Sequence, residues 1–304
     1  MLIIFRYFYS TKVLIFCYKI TKKYYFCVLL SMKTKIALLL FSVCACIACT
    51  STTSDNALQL LDEATSHYTK GQYNSAKLLI DSIHGTYPRR IDVRKEACNL
   101  LYQIERDETD RTLVYLDSVM PMLRQQWQTE CKQFVLADTI YLPKPVYQHR
   151  NLYKQQPTTT LLCEVDEQGN VSLISVYNGR SLDHVSVKVA CKDIYAQTDS
   201  VLTTSVYNYR FADLGSCWEY VTFDKIKQSD VLGFISMYAD EPLKISLFGK
   251  RTYTYYLSKT SARAIKESLL FAQTTAQLYQ MKQEYKKLID KQLWLENKLS
   301  APQN

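Results

Sequence analysis

The chain has 304 residues, 37 basic against 29 acidic, for a formal net charge of +8, with only seven glycines and seven prolines but 24 tyrosines. That length holds one large or two modest domains with real cores, and scarce glycine and proline with abundant aromatics excludes a disordered stalk. Seven of the basic residues and none of the acids fall in residues 1–48, so the remainder is nearly neutral and the electrostatic footprint of a nucleic-acid binder is missing.

Residues 1–31 are aromatic, aliphatic and cationic, and the cations interrupt the apolar residues too often for a clean membrane span. They read as an extension upstream of a true start at Met32, with a cationic membrane-surface arm as the alternative. Residues 32–48 follow the plan of a signal peptide: Lys33 and Lys35, then an apolar run, then a small residue before a cysteine. The run Ile36–Cys49 covers 14 residues, short of the ~20 a spanning helix needs. The ending Cys46-Ile47-Ala48-Cys49 resembles the lipobox of bacterial lipoproteins. The resemblance implies lipidation at Cys49 after cleavage, with 49–54 as a polar tether. Shifting the register back would make Cys46 the acceptor; Ala48 and the polar run from Thr50 favour Cys49. Thr50, in place of the aspartate associated with inner-membrane retention, points to the outer membrane, periplasmic side.

Residues 55–133 read as helical. Leu58, Leu61, Ala64 and Tyr68 recur at helical spacing, Gly71 marks a turn, and Ala76, Leu79, Ile80 and Ile83 line a second helix. Over Asp55–Pro88 the positions Ala64, Gly71, Tyr73, Ala76, Ile83 and Pro88 resemble one tetratricopeptide repeat, which implies a helical hairpin. A third helix is expected over Ile91–Glu105. Thr109–Phe134 then carries an a/d seam (Leu113, Leu116, Met120, Leu123, Trp127), with a kink or restart predicted at Pro121.

From Phe134 the period changes to two, and 134–258 reads as an antiparallel β-domain of six to eight strands, a sandwich or a strongly twisted sheet. Strands are predicted over 134–141, 160–165, 171–177, 185–191, 206–211, 218–223, 243–248 and 251–257, with a hairpin at Asp166–Asn170 and a short helix from Ser229-Asp230 to Met237. Residues 259–304 form a long C-terminal coiled-coil helix. Leu278, Met281, Tyr285, Leu288, Leu295 and Leu299 make its seam, with Gln292 the single polar place. Ile265, Leu269, Ala272, Ala276 and Tyr279 mark a neighbouring face for the sheet. The seam is expected either to pack on the Thr109–Phe134 helix as a stalk or to self-associate. The fold class is therefore α+β.

Chemistry is sparse. No GxSxG, HExxH, GxGxxG or P-loop is present, so no catalytic residue, metal site or cofactor is assigned. His184 beside Asp183 reads as a surface hydrogen bond. The acid pairs Asp166/Glu167 and Asp240/Glu241 sit where turns favour acids. Cys98, Cys131, Cys163, Cys191 and Cys217 show no metal spacing. Buried free thiols are the main expectation for most of them; Cys163–Cys191 and Cys98–Cys131 are the bridges an oxidising compartment would allow. Tyrosine is the one enrichment that can carry a functional meaning: Tyr207 and Tyr209 on one strand face, Tyr253 and Tyr255 on another, are candidate partner or glycan contacts, with cross-strand packing in the sheet the leading alternative. The expectation is a non-enzymatic, lipid-anchored envelope scaffold that binds a protein partner or itself through the C-terminal helix. Peptidoglycan or glycan binding through the tyrosine strands is the alternative.

Overall fold

The computed structural model describes residues 56–137, 145–153, 159–213 and 215–300. Cys49, the signal segment 32–48, the tether 49–54 and most of the predicted 142–157 loop lie outside them. The chain forms two compact units that meet in sequence between Asp107 and Glu108, the second reaching Glu296.

The first unit is helical. Helix α1 covers 56–69, α2 Tyr73–Thr86, and α3 begins at Ile91. Alanines at 57, 64, 76 and 97 are wholly buried with Ile80, Ile83 and Ile104, so small side chains let the helix backbones approach while the isoleucines fill the space between. The turn between α1 and α2 places Gly71 at φ +74°, where a side chain would be strained. The Tyr68 hydroxyl donates to Asp107 at 2.8 Å and its ring stacks on Tyr73, centroids 5.8 Å apart.

Helix α3 runs Ile91–Cys131 without interruption, 41 residues. Two helices were expected, with a kink or restart at Pro121; a single helix runs through that position, so there is no restart. Pro121 removes the donor for the Asp117 carbonyl, but both residues are exposed, so solvent takes that carbonyl and the helix continues. The bridge Cys98–Cys131 is thereby excluded: both lie on this helix, 33 residues apart, roughly 50 Å at 1.5 Å per residue. Cys163 and Cys191 are also free, as are all five cysteines of the described residues.

Among its described residues the second unit holds ten strands rather than six to eight: β1 Phe134–Ala137, β2 Val146–His149, β3 Thr160–Asp166, β4 Val171–Gly179, β5 Ser186–Cys191, β6 Ile194–Gln197, β7 Asn208–Asp213, β8 Ser216–Phe223, β9 Leu243–Phe248 and β10 Thr252–Leu257. Short helices α4 (Arg150–Tyr153) and α5 (Val231–Met237) are interspersed, and α6 (Lys259–Ser300) closes the chain. All strand pairs are antiparallel. One sheet has the order β1-β2-β3-β4-β8-β7 and the other β10-β9-β5-β6. Their inner residues share one sandwich-like core: Leu161, Val221 and Phe223 from the first, Val187, Ile245 and Leu247 from the second. Helix α5 and the start of α6 add Leu232, Ile235, Ala262 and Ile265.

The β3–β4 hairpin forms as predicted, with Val165 opposite Val171. Asp166 Oδ1 accepts the Gln168 and Asn170 amides at 2.9 and 2.8 Å. Gly169, at φ +81°, comes so close to α6 that a Cβ there would meet the Ala276 nitrogen at 2.5 Å. The turn is thus seated directly on α6.

Within this unit the end of α3 runs antiparallel to α6. Trp127 Nε1 donates to Thr275 Oγ1 at 3.0 Å, and Gln292 Nε2 donates to Asp110 Oδ1 at 2.9 Å. Trp127 lies 17 residues after Asp110 and Thr275 lies 17 before Gln292, so the helices stay in step over roughly 25 Å. The polar place in the seam therefore has a partner. Phe271, omitted from the predicted face, is buried at the centre of the sheet contact, stacked on Phe134 at 4.2 Å.

Candidate functional site

The densest polar arrangement lies inside the sandwich. Alternation along β8 turns Glu219 inward with Val221 and Phe223, opposite Tyr177 of β4. The chain between β4 and β5 bends at Asp183, φ +53°, and aims three successive amides at that carboxylate. Leu182 and Asp183 each donate to Oε1 at 2.7 Å, and His184 donates its amide to Oε2 at 2.9 Å. His184 Nδ1 lies 2.7 Å from Oε2 and its Nε2 lies 3.1 Å from Ser175 Oγ of β4. A carboxylate can only accept, so Nδ1 carries the proton toward it.

Burial alone would push the Glu219 carboxyl up, but the His184 ring and the three amides outweigh it and hold it at about 2. The carboxyl of Asp183 points the other way, to Lys250 Nζ at 2.5 Å and Arg210 Nη1 at 2.8 Å. His184 was read with Asp183 as a surface pair; its partner is Glu219, 35 residues on. The available signal was a carboxylate at an inward position of a strand.

Ser175, His184 and Glu219 have the connectivity of an acyl-transfer relay, but each is 0% exposed. A nucleophile has to be reached by its substrate, and this hydroxyl is not. What the node does is mechanical: one carboxylate ties β8 to the start of β5, and the imidazole ties both to β4. A second buried carboxyl, Glu164 of β3, is shifted the opposite way: burial raises it, while Gln148 Nε2 donates to it at 2.5 Å. The strand register puts Glu164 and Glu219 on opposite faces of the sheet, so they do not form an acid–base pair. Of the other acids named from sequence, Asp166 caps its turn and Asp240 Oδ1 accepts from Arg263 Nε at 2.9 Å. No group of three His, Cys, Asp or Glu able to hold a metal occurs among the described residues.

The four tyrosines are not two matching rows. Tyr207 precedes β7 in a turn and is exposed, so it shares no strand face with Tyr209. Tyr209 opposes Tyr220 across the β7–β8 ladder and Phe211 opposes Trp218. Phe211 lies 6.1 Å from Trp218 with planes 10° apart and 6.2 Å from Tyr220 with planes 12° apart. On β10, Tyr253 meets Tyr177 edge-on at 5.0 Å, while burial encloses the Tyr255 hydroxyl and pushes it up. Tyr209 and Tyr253 lie on different sheets. Nothing in sequence marked Phe211 and Trp218 as members of the cluster, because they become neighbours only through the register.

Compared with protein-family models, with curated proteins and with solved structures, the chain matches none.

Proposed function

We propose that the chain is a lipid-anchored cell-envelope protein, tethered through Cys49 to the periplasmic side of the outer membrane, that works as a scaffold by holding a protein partner. The observation that carries the binding part is the β7 edge. This strand ends the six-stranded sheet and leaves Tyr209 and Phe211 each 38% exposed, next to Val206 and Tyr207 in the preceding turn. A strand at the end of a sheet can take an added strand, and exposed rings beside it give the added segment apolar anchors. An extended segment of a partner protein fits that chemistry. The α6 seam is occupied by α3 of the same chain, which argues for the strand edge over the helix as the partner surface.

The test has two parts. The N-terminal mass of protein isolated from bacterial membranes should correspond to a chain starting at lipid-modified Cys49; a chain starting at Met1 would remove the anchor. Cross-linking in membranes should recover a reproducible partner that a Tyr209→Glu/Phe211→Glu variant loses, and an unchanged partner set would exclude the β7 edge. Exposure of Tyr209 and Tyr253 favours wall glycan as the second reading. Sedimentation with purified peptidoglycan separates the two, since a protein scaffold stays in the supernatant.

A further inference from the structure

The end of α3, strand β2, the β3–β4 turn and α6 enclose a cleft of about 410 Å³, within the ~300–1,000 Å³ of small-molecule sites. Its floor is apolar: buried Leu278 and half-buried Trp127, Tyr147 and Tyr279. The floor is also fixed. The Trp127 indole N–H is committed to Thr275, whose hydroxyl donates to the Phe271 carbonyl at 2.8 Å. Tyr147 meets Trp127 edge-on at 6.0 Å and Phe271 at 5.4 Å. The close seat of Gly169 on α6 holds the turn that carries Glu167.

The rim is polar and uncommitted. Arg124, Gln128, Glu167 and Lys282 are exposed, and none makes an ion pair or hydrogen bond among the described residues. Their charges sum to one excess cation.

We propose that this cleft binds a saccharide whose ring carries a carboxylate. The ring's C–H groups pack against this floor: Trp127 and Tyr147 stand at 86° to each other, so the sugar stacks its apolar face on one of them and meets the other with its edge. The carboxylate goes to Arg124 and Lys282, since a charge-assisted bond to a guanidinium is the strongest contact the rim offers. Glu167 can only accept, so a ligand that brings it a hydroxyl or amide N–H, as a sugar does, gains a contact that an unsubstituted aromatic acid does not. A phosphate is disfavoured: the cleft lies beside the C-terminal end of α3 and the middle of α6, away from the amides of a helix N-terminus. The site shares no residue with the β7 edge or the anchor, so it stands or falls apart from both.

The experiment is calorimetric titration of the full chain in detergent with N-acetylmuramic acid and N-acetylglucosamine, which differ by the lactyl carboxylate. The acid sugar should bind saturably and about tenfold tighter than the neutral one, the worth of one charge-assisted contact. An Arg124→Gln/Lys282→Gln variant, altered only at exposed positions, should melt as the parent does and lose that preference. Glucuronic acid binding as well as N-acetylmuramic acid would support the class and place its source among uronic-acid polymers rather than the wall. No saturable binding of either acid sugar overturns the proposal. So does equal binding of the neutral sugar, or a preference that survives the double substitution.

Discussion

Replacing Glu219 with glutamine tests the buried node with almost no change in shape. In the parent, each carboxylate oxygen accepts two donors. A glutamine keeps its oxygen for the Leu182 and Asp183 amides and turns its NH₂ toward the His184 pair; Nδ1 can accept it in the other tautomer, which leaves the His184 amide buried and facing a donor. At about 1–3 kcal/mol for that unsatisfied group, with charge-assisted bonds exchanged for neutral ones, Glu219→Gln should cost roughly 3 kcal/mol. The pH dependence follows independently. The folded carboxyl titrates near 2 against 4.5 for the free group, so the fold favours the charged form. Its contribution, roughly 3 kcal/mol at 1.36 kcal/mol per pH unit, is complete above about pH 4.5 and is lost as pH falls toward 2. Urea unfolding should show the loss at neutral pH with an unchanged m-value, and the variant should lack this part of the acid dependence. Hydrogen exchange gives the local reading: the amides of Leu182, Asp183 and His184 should be protected in the parent and released in the variant. A loss under about 1 kcal/mol, with those amides still protected, would refute the assigned role.

The two turn glycines should separate sharply. Gly169→Ala meets the α6 backbone as well as positive φ and should cost about 3 kcal/mol or more, whereas Gly71→Ala, with open space around it, should cost about 1 kcal/mol in thermal melts; equal losses would mean the α6 contact is unimportant. Burial pushes the Cys163 thiol up to about 12, so iodoacetamide should leave it unlabelled until urea unfolds the chain, and intact mass without reductant should show five free thiols among the described residues. Ending the chain after Lys282 removes Gln292 and the buried Leu295, and should lower stability by about 3 kcal/mol while light scattering reports an unchanged number of subunits; a fall in that number would assign the seam to self-association.

Much of the fold was legible because its signals are periodic. Leu243–Phe248 alternates cleanly and became β9 with those bounds, and Val171–Tyr177 lies within β4. Strands β2 and β6 were not legible, since each has four residues and β6 follows a Lys192-Asp193 turn with no glycine to mark it. Proline misled at position 121 because its cost depends on whether the freed carbonyl is buried, which one-dimensional pattern does not contain. The same limit governs the sites. Tyrosine counts pointed at β7 and β10, but the ring cluster around Phe211 depends on register. The charged cleft depends on three separated segments meeting. Glu219 was invisible because its donors are backbone amides, which carry no residue identity.

The bond between Asp110 and Gln292 joins residues 182 positions apart. At about 5–20 residues per second, a ribosome needs roughly 10–35 seconds to travel between them. For that interval the apolar side of α3 has been made and its cover has not, so that side stays uncovered on the emerging chain. Closure comes late, when α6 reaches back past every strand to the first turns of the unit. A polypeptide wired this way remains threadable until almost its last residues are made.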